Sequence, residues 1–326
     1  MKVLPEALES LRAQAFSDFS LIVIDNASTD GSVECVRRLF PEATVLRNFK
    51  NLGFSPAHNQ AIEMSRKSGA EYVLVMNPDI IMTPDFLKRL LSGVEGRPAI
   101  GSAGGKLLKV HPRLDDNEDP RFSDVIDSIG LTVKKNRRVD DRASGETDRG
   151  QYDKPMEVFG VSGALALYRQ EALDEAAAAG EVFDEDFFAY QEDADLAWRL
   201  RLLGWKAAYL PNAVAYHYRG AGGAESRGPW RSFLARWRRS TLVNRLSTRN
   251  HLWMLAKNED WSNALLHLPL IAAYEVAKFL ATLLFFPRVL PAYGQFWLKV
   301  PRMLRKRRRI MSRRKTSAAE IRKWFR

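Results

Sequence analysis

The sequence contains a single cysteine, Cys35, among 326 residues. One thiol excludes an intramolecular disulfide framework and a zinc site built from cysteines alone, and it fits a reducing cytosolic compartment. The N-terminus lacks a basic segment followed by an apolar core, so we expect no secretory signal. A G-x-G-x-x-G after a strand, a G-x-x-x-x-G-K-[ST] loop and a G-x-S-x-G elbow are also missing, which weighs against a dinucleotide enzyme and a P-loop NTPase.

Charge is unevenly distributed along the chain, whose formal net charge is +11. Residues 1–226 contain 27 Lys and Arg against 35 Asp and Glu, whereas residues 227–326 contain 23 against 4. A basic third indicates nucleic acid, an anionic membrane surface or a solvated tail. We therefore predict an acidic domain at 1–226, a helical amphipathic or apolar region at 227–300 and a polybasic tail at 301–326.

The acidic domain alternates predicted helices and strands. Short apolar runs at 21–24 and 72–76 predict buried strands, and apolar periodicity predicts helices that include 5–15, 56–68, 84–92 and 191–203. This alternation is typical of βαβ units and predicts an α/β fold, with a mostly parallel sheet flanked by helices. The polar stretch 111–157 predicts a long irregular insertion, and two strands are predicted at 206–210 and 213–218.

Two polar clusters directly follow predicted strands. Asp25-Asn26 follows the first of these strands, and Asn77-Pro78-Asp79 follows the second. In parallel sheets, ligands bind beyond the carboxyl ends of the strands. Asp25 therefore suits a nucleobase or ribose, with helix capping as the alternative interpretation. Asp79 suits a divalent cation that bridges two phosphates, with a turn initiated by Asn77-Pro78 as the alternative.

Two further clusters carry groups that can transfer protons or bind metals. Glu192, Asp193 and Asp195 lie at the start of a predicted helix, behind an aromatic run. A carboxylate there can act as a general base whose pKa is tuned by its neighbours; favourable placement at the helix dipole is the alternative. His217 follows a predicted strand and is either a metal ligand or a structural histidine.

In this order and spacing, the four clusters resemble the family 2 glycosyltransferases of the GT-A fold, and most of all their bacterial rhamnosyltransferase-like members. The resemblance covers about residues 4–220, and it implies a Rossmann-like GT-A domain. The matching stretches are 8–32, Asn51-Leu52-Gly53-Phe54 with Asn59, the NPD at 77–79, 160–163 and 190–217.

The resemblance implies roles for individual residues. Asp193, preceded by Glu192, matches the catalytic base of the family. Asp79 matches the metal-binding aspartate of the family's D-x-D motif, and His217 lies where these enzymes often supply a further metal or phosphate contact, so the implied cofactor is Mg²⁺ or Mn²⁺. The residues implied to bind the donor are Asp25, Asn26, Asp30, Asn59 and Asn77.

The implied reaction is a single displacement with inversion, in which Asp193 takes a proton from an acceptor hydroxyl as that oxygen attacks the anomeric carbon. A cation on Asp79 would neutralise charge growing on the leaving nucleoside diphosphate. The branch resemblance favours a rhamnose-like deoxysugar, with UDP- and GDP-sugars still open. The expected acceptor is a glycan or polyprenyl-linked molecule in cell-envelope polysaccharide synthesis.

The sequence departs from the family at its beginning. Family members start with a strand that reads roughly V-S-V-V-I-P-T-Y-N, whereas this sequence starts with Met1-Lys2-Val3-Leu4-Pro5. The missing strand would leave a gap in the sheet beside residues 21–24, with unpaired backbone groups. We expect that the true start codon lies upstream; the alternative is a product that binds its donor poorly.

The basic third predicts a membrane-associating extension. Tryptophans and arginines at 229–257, the apolar stretch at 261–286 and the polybasic end suit an anionic membrane surface. We therefore expect a cytoplasmic protein that is peripheral on the inner face of the plasma membrane and binds no nucleic acid. Two alternatives remain: a truncated or inactive scaffold that binds membrane or nucleic acid, and a helical cap on the core at 261–286.

Overall fold

The computed structural model describes residues 3–111, 121–177, 180–218 and 236–326. The predicted domain boundary at 226 lies outside these residues, as do Trp230, Arg231 and residues 112–120 of the predicted insertion.

The first ninety residues alternate helices and strands, as predicted. Local apolar patterning accounts for this part of the fold, because each helix buries one apolar face against the sheet. The elements are α1 (Leu4–Arg12), β1 (Ile22–Asp25), α2 (Ser32–Leu39), β2 (Thr44–Arg47), α3 (Phe54–Lys67), β3 (Tyr72–Met76), β4 (Ile80–Met82) and α4 (Phe86–Ser92).

The middle of the chain is richer in strands than predicted. The irregular insertion predicted at 111–157 is wrong for its described part, which contains short strands whose polar side chains hide the period-two pattern. One long strand with a register shift between Leu210 and Val214 replaces the two predicted at 206–218. The elements are β5 (Ile100–His111), β6 (Arg121–Ser128), β7 (Leu131–Val133), β8 (Val139–Asp141), β9 (Met156–Val158), β10 (Leu165–Arg169), α5 (Gln170–Ala176), α6 (Glu192–Leu202) and β11 (Lys206–His217).

The main sheet has the order β3-β10-β5-β11-β4, with β6 paired to β5 and β9 paired to β11. The α/β class is confirmed, but the sheet is mixed rather than mostly parallel. Within it, only β5 and β11 run parallel, and the other pairings are antiparallel. Apolar runs do not encode strand direction, which depends on how each strand returns to the sheet.

β1 and β2 form a separate parallel pair. Among the described residues, no strand pairs with the second edge of β1 or with the second edge of β3. The side chains of Ile22, Val23 and Ile24 are partly exposed, although this run was expected to be a buried strand. α3 contacts both β1 and β3 and thereby connects the two sheets.

Helices form the remainder of the described chain, and an apolar cluster joins them to α6. Trp198 and Leu202 of α6 pack in this cluster with Trp253, Met303 and Phe325 from the C-terminal region. The segment predicted as a polybasic tail is therefore helical over much of its length and partly buried, while the division of the chain at 226 and 300 stays a prediction. The helices are α7 (Thr241–Asn258), α8 (Trp261–Leu266), α9 (Leu268–Phe285), α10 (Pro291–Ser312) and α11 (Ala318–Arg322).

Candidate functional site

The NPD motif occupies the turn between β3 and β4, the two end strands in the order of the main sheet. β4 pairs antiparallel with β11, and this register sets Ile80 opposite His217. The backbone N–H of Tyr218 donates to the carbonyl of Asp79 at 3.0 Å. The result is that the Asp79 carboxylate lies 3.3 Å from Nε2 of His217. The structure therefore brings together the two residues predicted to bind metal.

A second carboxylate orients His217 from the other side. Nδ1 of His217 lies 2.9 Å from Oδ2 of Asp127, which is fully buried on β6. Burial alone would lower the pKa of His217, but its hydrogen bonds and charge interactions with Asp127 and Asp79 outweigh burial and raise the pKa to about 9. Asp127 was missed because it lies in the stretch predicted to be irregular; the strand pattern of β6 was the only signal.

These residues fit a divalent cation in part. A metal-binding histidine commonly holds a carboxylate with one ring nitrogen and leaves the other for the metal, which is how Asp127, His217 and Asp79 are arranged. Mg²⁺ is often bound by one or two carboxylates, with substrate phosphates completing its shell. Across the described ranges, no group of three or more histidine, cysteine or carboxylate side chains is placed to hold an ion. Asp79 and, once it has released its Nε2 proton, His217 would thus supply two ligands.

Asp193 lies in the first turn of α6 and is tied to the NPD motif. The backbone N–H of Gly163 donates to Oδ2 of Asp193 at 3.0 Å, and the carbonyl of Ala164 accepts a 2.8 Å hydrogen bond from the Asn77 N–H. Residue 163 must be small, because a Cβ there would lie 3.0 Å from that of Asp193. Residues 163 and 164 thus join the predicted base to the motif predicted to bind donor and metal.

The two neighbouring acids of α6 have different environments. Burial raises the pKa of Asp193, and hydrogen bonds from the Gly163 and Ala194 N–H groups oppose that rise. Burial and the charge of Asp193 raise the pKa of Glu192 to about 8. Glu192 is buried with one carboxyl oxygen unpartnered, while Asp193 is partly exposed. Asp193 is therefore the more accessible of the two, and Glu192 holds its proton at neutral pH.

Asp195, the third acid of the cluster, has a structural environment. It is fully buried, and its carboxylate accepts from Nζ of Lys257, Nε of Arg199 and Nδ2 of Asn258 at 2.8–3.0 Å. Two of these partners come from α7, so Asp195 binds the C-terminal helices to α6. The sequence shows all three acids close together, but only the tertiary contacts show that Asp195 has a structural role and Asp193 does not share those contacts.

The predicted donor-binding residues after β1 make mostly local contacts. Oδ1 of Asp25 accepts from the Ser28 N–H at 3.0 Å, and Oδ2 lies 3.1 Å from Nε of the exposed Arg47. Asn26 donates to the carbonyl of Gly53 at 3.0 Å, which ties the end of β1 to the start of α3. Oδ1 of Asp30 accepts from the N–H and hydroxyl of the nearby Ser32 at the start of α2.

Asn59 has both ends of its amide engaged by the protein. Its Nδ2 donates to the carbonyl of Phe183 at 2.8 Å, and its Oδ1 accepts from the Phe183 N–H at 2.9 Å. Nδ2 also contacts Glu185. The structure therefore uses this amide to attach α3 to the segment that leads into α6, and the assignment of Asn59 to donor binding stays a prediction.

Gly53 allows a second close approach at the start of α3. Its φ is +90°, and a Cβ would lie 2.5 Å from the Phe188 ring. The Phe188 carbonyl accepts from the N–H groups of Phe54 and Ser55, at 2.6 and 3.3 Å. The loop that contacts Asn26 is thus fixed against the segment just before Glu192.

Comparison with known proteins identifies the family. The sequence model of the family described as Glycosyl transferase family 2 matches residues 1–176, more than half of the chain. A relative from Mycobacterium tuberculosis, N-acetylglucosaminyl-diphospho-decaprenol L-rhamnosyltransferase, is 28% identical over 263 residues, which cover 76% of this chain and 81% of the relative. Rhamnosyltransferase WbbL from Escherichia coli is 30% identical over 173 residues, 51% of this chain and 61% of the relative.

Solved structures agree on the fold. The 1–349 fragment of S. aureus TarS in complex with UDP-GlcNAc superposes with a TM-score of 0.54 at 16% identity, over 95% of this chain and 87% of that one. GalNAc-T7 with UDP, GalNAc and Mn²⁺ gives 0.55 at 12% identity, over 77% and 44%. The GT-A fold predicted from the sequence is confirmed, and the chain belongs to glycosyltransferase family 2, within which it resembles the rhamnosyltransferases.

Proposed function

We propose that this family 2 glycosyltransferase moves a deoxysugar, with rhamnose favoured, from a nucleoside diphosphate donor to a polyprenyl-linked glycan acceptor with inversion at the anomeric carbon. The observation that carries this proposal is the connection of Asp193, through residues 163 and 164, to the NPD motif and thereby to His217. A proton acceptor and a candidate site for the diphosphate therefore lie on elements that are joined by hydrogen bonds.

Asp193 is the general base of the proposed reaction. Its raised pKa strengthens its basicity, and hydrogen bonds from the Gly163 and Ala194 N–H groups hold the carboxylate in one orientation. It takes the proton of the acceptor hydroxyl as that oxygen bonds to the anomeric carbon and the bond to the diphosphate oxygen breaks. One displacement inverts the anomeric configuration, whereas retention by double displacement would need a second, nucleophilic side chain.

Asp79 and His217 hold the diphosphate end of the donor. A divalent cation bound there would supply positive charge to the leaving diphosphate. The carboxylate of Asp127 keeps Nε2 of His217 directed toward Asp79. Asn77, Asp25, Asn26 and Asp30 complete the proposed donor contacts.

An Asp193→Asn variant tests the base. It should lose transfer by a factor of about 10²–10⁴ while keeping its affinity for the donor, since an amide of the same shape can accept hydrogen bonds but not the proton. Asp85→Asn, at an exposed carboxylate paired with Arg89, is the matched control and should retain full activity. Retained transfer by Asp193→Asn would remove it as base.

Donor, stereochemistry and metal need separate measurements. A panel of dTDP-, UDP- and GDP-sugars, scored for nucleoside diphosphate release with and without Mn²⁺, should show highest turnover with dTDP-rhamnose and loss of turnover in EDTA.

The anomeric configuration of the product, read from its carbon–proton coupling constant, should be opposite to that of the donor. Retention would exclude the single displacement.

The proposed acceptor follows from the relatives and from α9. The M. tuberculosis relative is named for a diphospho-decaprenol acceptor, and a polyprenyl chain resides in a membrane. α9 is long and apolar enough to cross a membrane, with a mean hydropathy of 1.6, but only 6% of its 18 residues are buried. The apolar side chains that are at least 40% exposed are Leu268, Leu270, Val276, Phe279, Leu280, Leu283, Leu284 and Phe285.

The polar side chains of α9 face the protein instead. Oε1 of Glu275 lies 2.9 Å from Nε2 of His251 on α7, and Lys278 lies beside Glu275 at 3.7 Å. The hydroxyl of Thr282 accepts from Arg236 at 2.6 Å. A cap on the core would bury its apolar face, so this inverted arrangement supports a helix that lies in the membrane interface. The proposed location is the cytoplasmic face of the plasma membrane.

Vesicle flotation tests this location. The protein should float with phosphatidylcholine vesicles and more strongly once phosphatidylglycerol is added, because exposed arginines of α10 would then find anionic headgroups. Leu280→Glu combined with Leu284→Glu should abolish flotation. Leu46→Glu, at a partly exposed leucine of β2, is the control and should float normally. Equal behaviour of the two variants would contradict the proposal.

A further inference from the structure

The backbone before Glu192 is held in an unfavourable conformation. Phe188, Tyr190 and Gln191 have φ values of 65°, 73° and 71°. This left-handed region of backbone conformation is rare for residues other than glycine. Such a segment persists only where surrounding groups fix it. Gln191 is the residue before α6, and its side chain makes no capping hydrogen bond. The position of Asp193, two residues later, therefore depends on what fixes this segment.

Asn250 of α7 contacts this segment at three carbonyl groups. Its side chain is fully buried, and its Nδ2 lies 2.9, 2.8 and 2.8 Å from the carbonyl oxygens of Phe187, Ala189 and Tyr190. Its Oδ1 accepts from Nε of the neighbouring Arg249 at 3.1 Å, which fixes the orientation of the amide. One amide from the C-terminal region thus meets three carbonyls of the strained segment.

Arg249 and Lys257 add to the same attachment. Nη2 of Arg249 donates to the carbonyls of Asp186 and Phe187, each at 3.2 Å. Nζ of Lys257 binds Asp184 and Asp195, which lie on either side of the segment. α7 therefore contacts the chain before, within and after the strained residues.

We propose that Asn250 is a positioning residue for Asp193, which it serves by holding segment 187–190 so that the first turn of α6 presents the carboxylate to the acceptor hydroxyl. This inference rests on the proposed role of Asp193 as base. It gives the C-terminal helices a part in the transfer reaction that is separate from membrane attachment. A carboxylate displaced by about 1 Å can slow a reaction on the order of 10²-fold.

Steady-state kinetics with a soluble acceptor analogue test the proposal. Asn250→Ala should lower kcat by about 10–100-fold and leave the KM for the donor within about threefold, because the proposed donor contacts of Asp25, Asn77 and Asp79 lie outside the segment that Asn250 holds. Asn250→Asp keeps the shape but sets a carboxylate against three carbonyl oxygens, so it should be at least as slow as the alanine variant. Asn250→Gln retains an amide and should recover part of the rate, and it tests the proposal where the alanine variant does not fold.

Asn244→Ala is the matched control. Asn244 lies on the same helix, is also buried and donates to the backbone carbonyls of Arg236 and Arg239, which are outside the segment before α6. It should keep its kcat. A kcat for Asn250→Ala that equals that of Asn244→Ala would overturn the proposal.

A double variant separates this inference from the proposed function. If Asn250 acts through Asp193, then Asn250→Ala with Asp193→Asn should transfer no more slowly than Asp193→Asn alone. Losses that multiply would overturn the positioning role while leaving Asp193 as base. Full turnover by Asp193→Asn alone would remove both the base and its positioning residue.

Discussion

α6 and α9 are both rich in apolar residues, but their apolar side chains lie in different places. α6 buries Leu196, Trp198 and Leu200 in the protein interior. α9 directs Glu275 and Lys278 toward α7 and leaves its leucines exposed. The hydrophobic effect favours contact between apolar surfaces, and the apolar side chains of α6 make that contact within the core of the protein itself. The apolar side chains of α9 remain exposed in the described structure.

The charged groups of the two regions differ in the same way. The C-terminal region carries all of the excess positive charge, and part of that charge is buried against acidic side chains of the preceding chain. Lys257 and Lys306 bind Asp184, and Lys306 also binds Asp186. Arg305 and Arg308, on the same helix as Lys306, remain exposed. The +11 therefore combines charges that hold the two regions together with charges that are free to meet an anionic surface.

Removal of a buried interface lysine should have the largest effect on stability. Lys257→Met leaves Asp184 and Asp195 buried without this partner, so we expect a loss of about 3–5 kcal/mol in the free energy of unfolding, measured in urea. Lys299→Met is the control, since Lys299 is 45% exposed where it binds Asp186, and it should cost under about 1 kcal/mol. Similar losses would show that the buried charges do not hold the regions together.

Leucine truncation compares the two helices directly. Leu200→Ala in α6 should cost about 2–5 kcal/mol, because it opens a cavity in the core. Leu284→Ala in α9 should change the free energy of unfolding in detergent-free buffer by less than about 0.5 kcal/mol, since the Leu284 side chain is 70% exposed. Comparable losses at the two positions would mean that α9 is packed in solution.

Glu192 should contribute a fall in the stability of the protein as pH rises. Its pKa is about 8 in the folded protein and near 4.5 when unfolded, so its contribution is fully present below the unfolded pKa and is lost as pH rises through the folded pKa. We expect a loss on the order of 2 kcal/mol between pH 5 and pH 7. Thermal melting of Glu192→Gln should lack this fall, and an unchanged slope would contradict the assignment.

Asp184 gives the interface the opposite dependence. Burial alone would raise its pKa, but Lys257 and Lys306 lower it well below the ordinary value. The stability that Asp184 contributes is therefore present above about pH 4 and lost on further acidification. Glu192 and Asp184 thus contribute to the pH dependence of stability with opposite signs.

An exposed ion pair within the catalytic domain should have the smallest effect. Arg89 and Asp85 pair across one turn at 3.1 Å, and both side chains are about half exposed. Arg89→Ala should change the free energy of unfolding by only about 0.3–0.5 kcal/mol. A loss approaching that of Lys257→Met would remove the distinction between surface and interface charge.

Much of the candidate site was predicted from local sequence patterns, namely apolar runs and the polar residues that follow them. Tyr72–Met76 was predicted as a strand with its observed bounds, and the acids after it and at the start of α6 were found because polar groups that follow apolar runs are conspicuous. Asp127, Asn250 and Lys257 were missed. Each becomes significant only through a residue at least sixty positions away, and nothing in its local sequence distinguishes it from a solvated polar residue.

The sequence by itself determined the family, the alternating elements and the acids and histidine of the candidate site, because these depend on short-range periodicity and motif spacing. The tertiary structure decided strand direction, the separation of Asp193 from its neighbours and the outward turn of the apolar face of α9. These features depend on which distant side chains meet. Glu275 and Lys278 interrupt the apolar stretch, but the sequence does not show which side of α9 faces the protein. The contact between Glu275 and His251 shows that the polar side does.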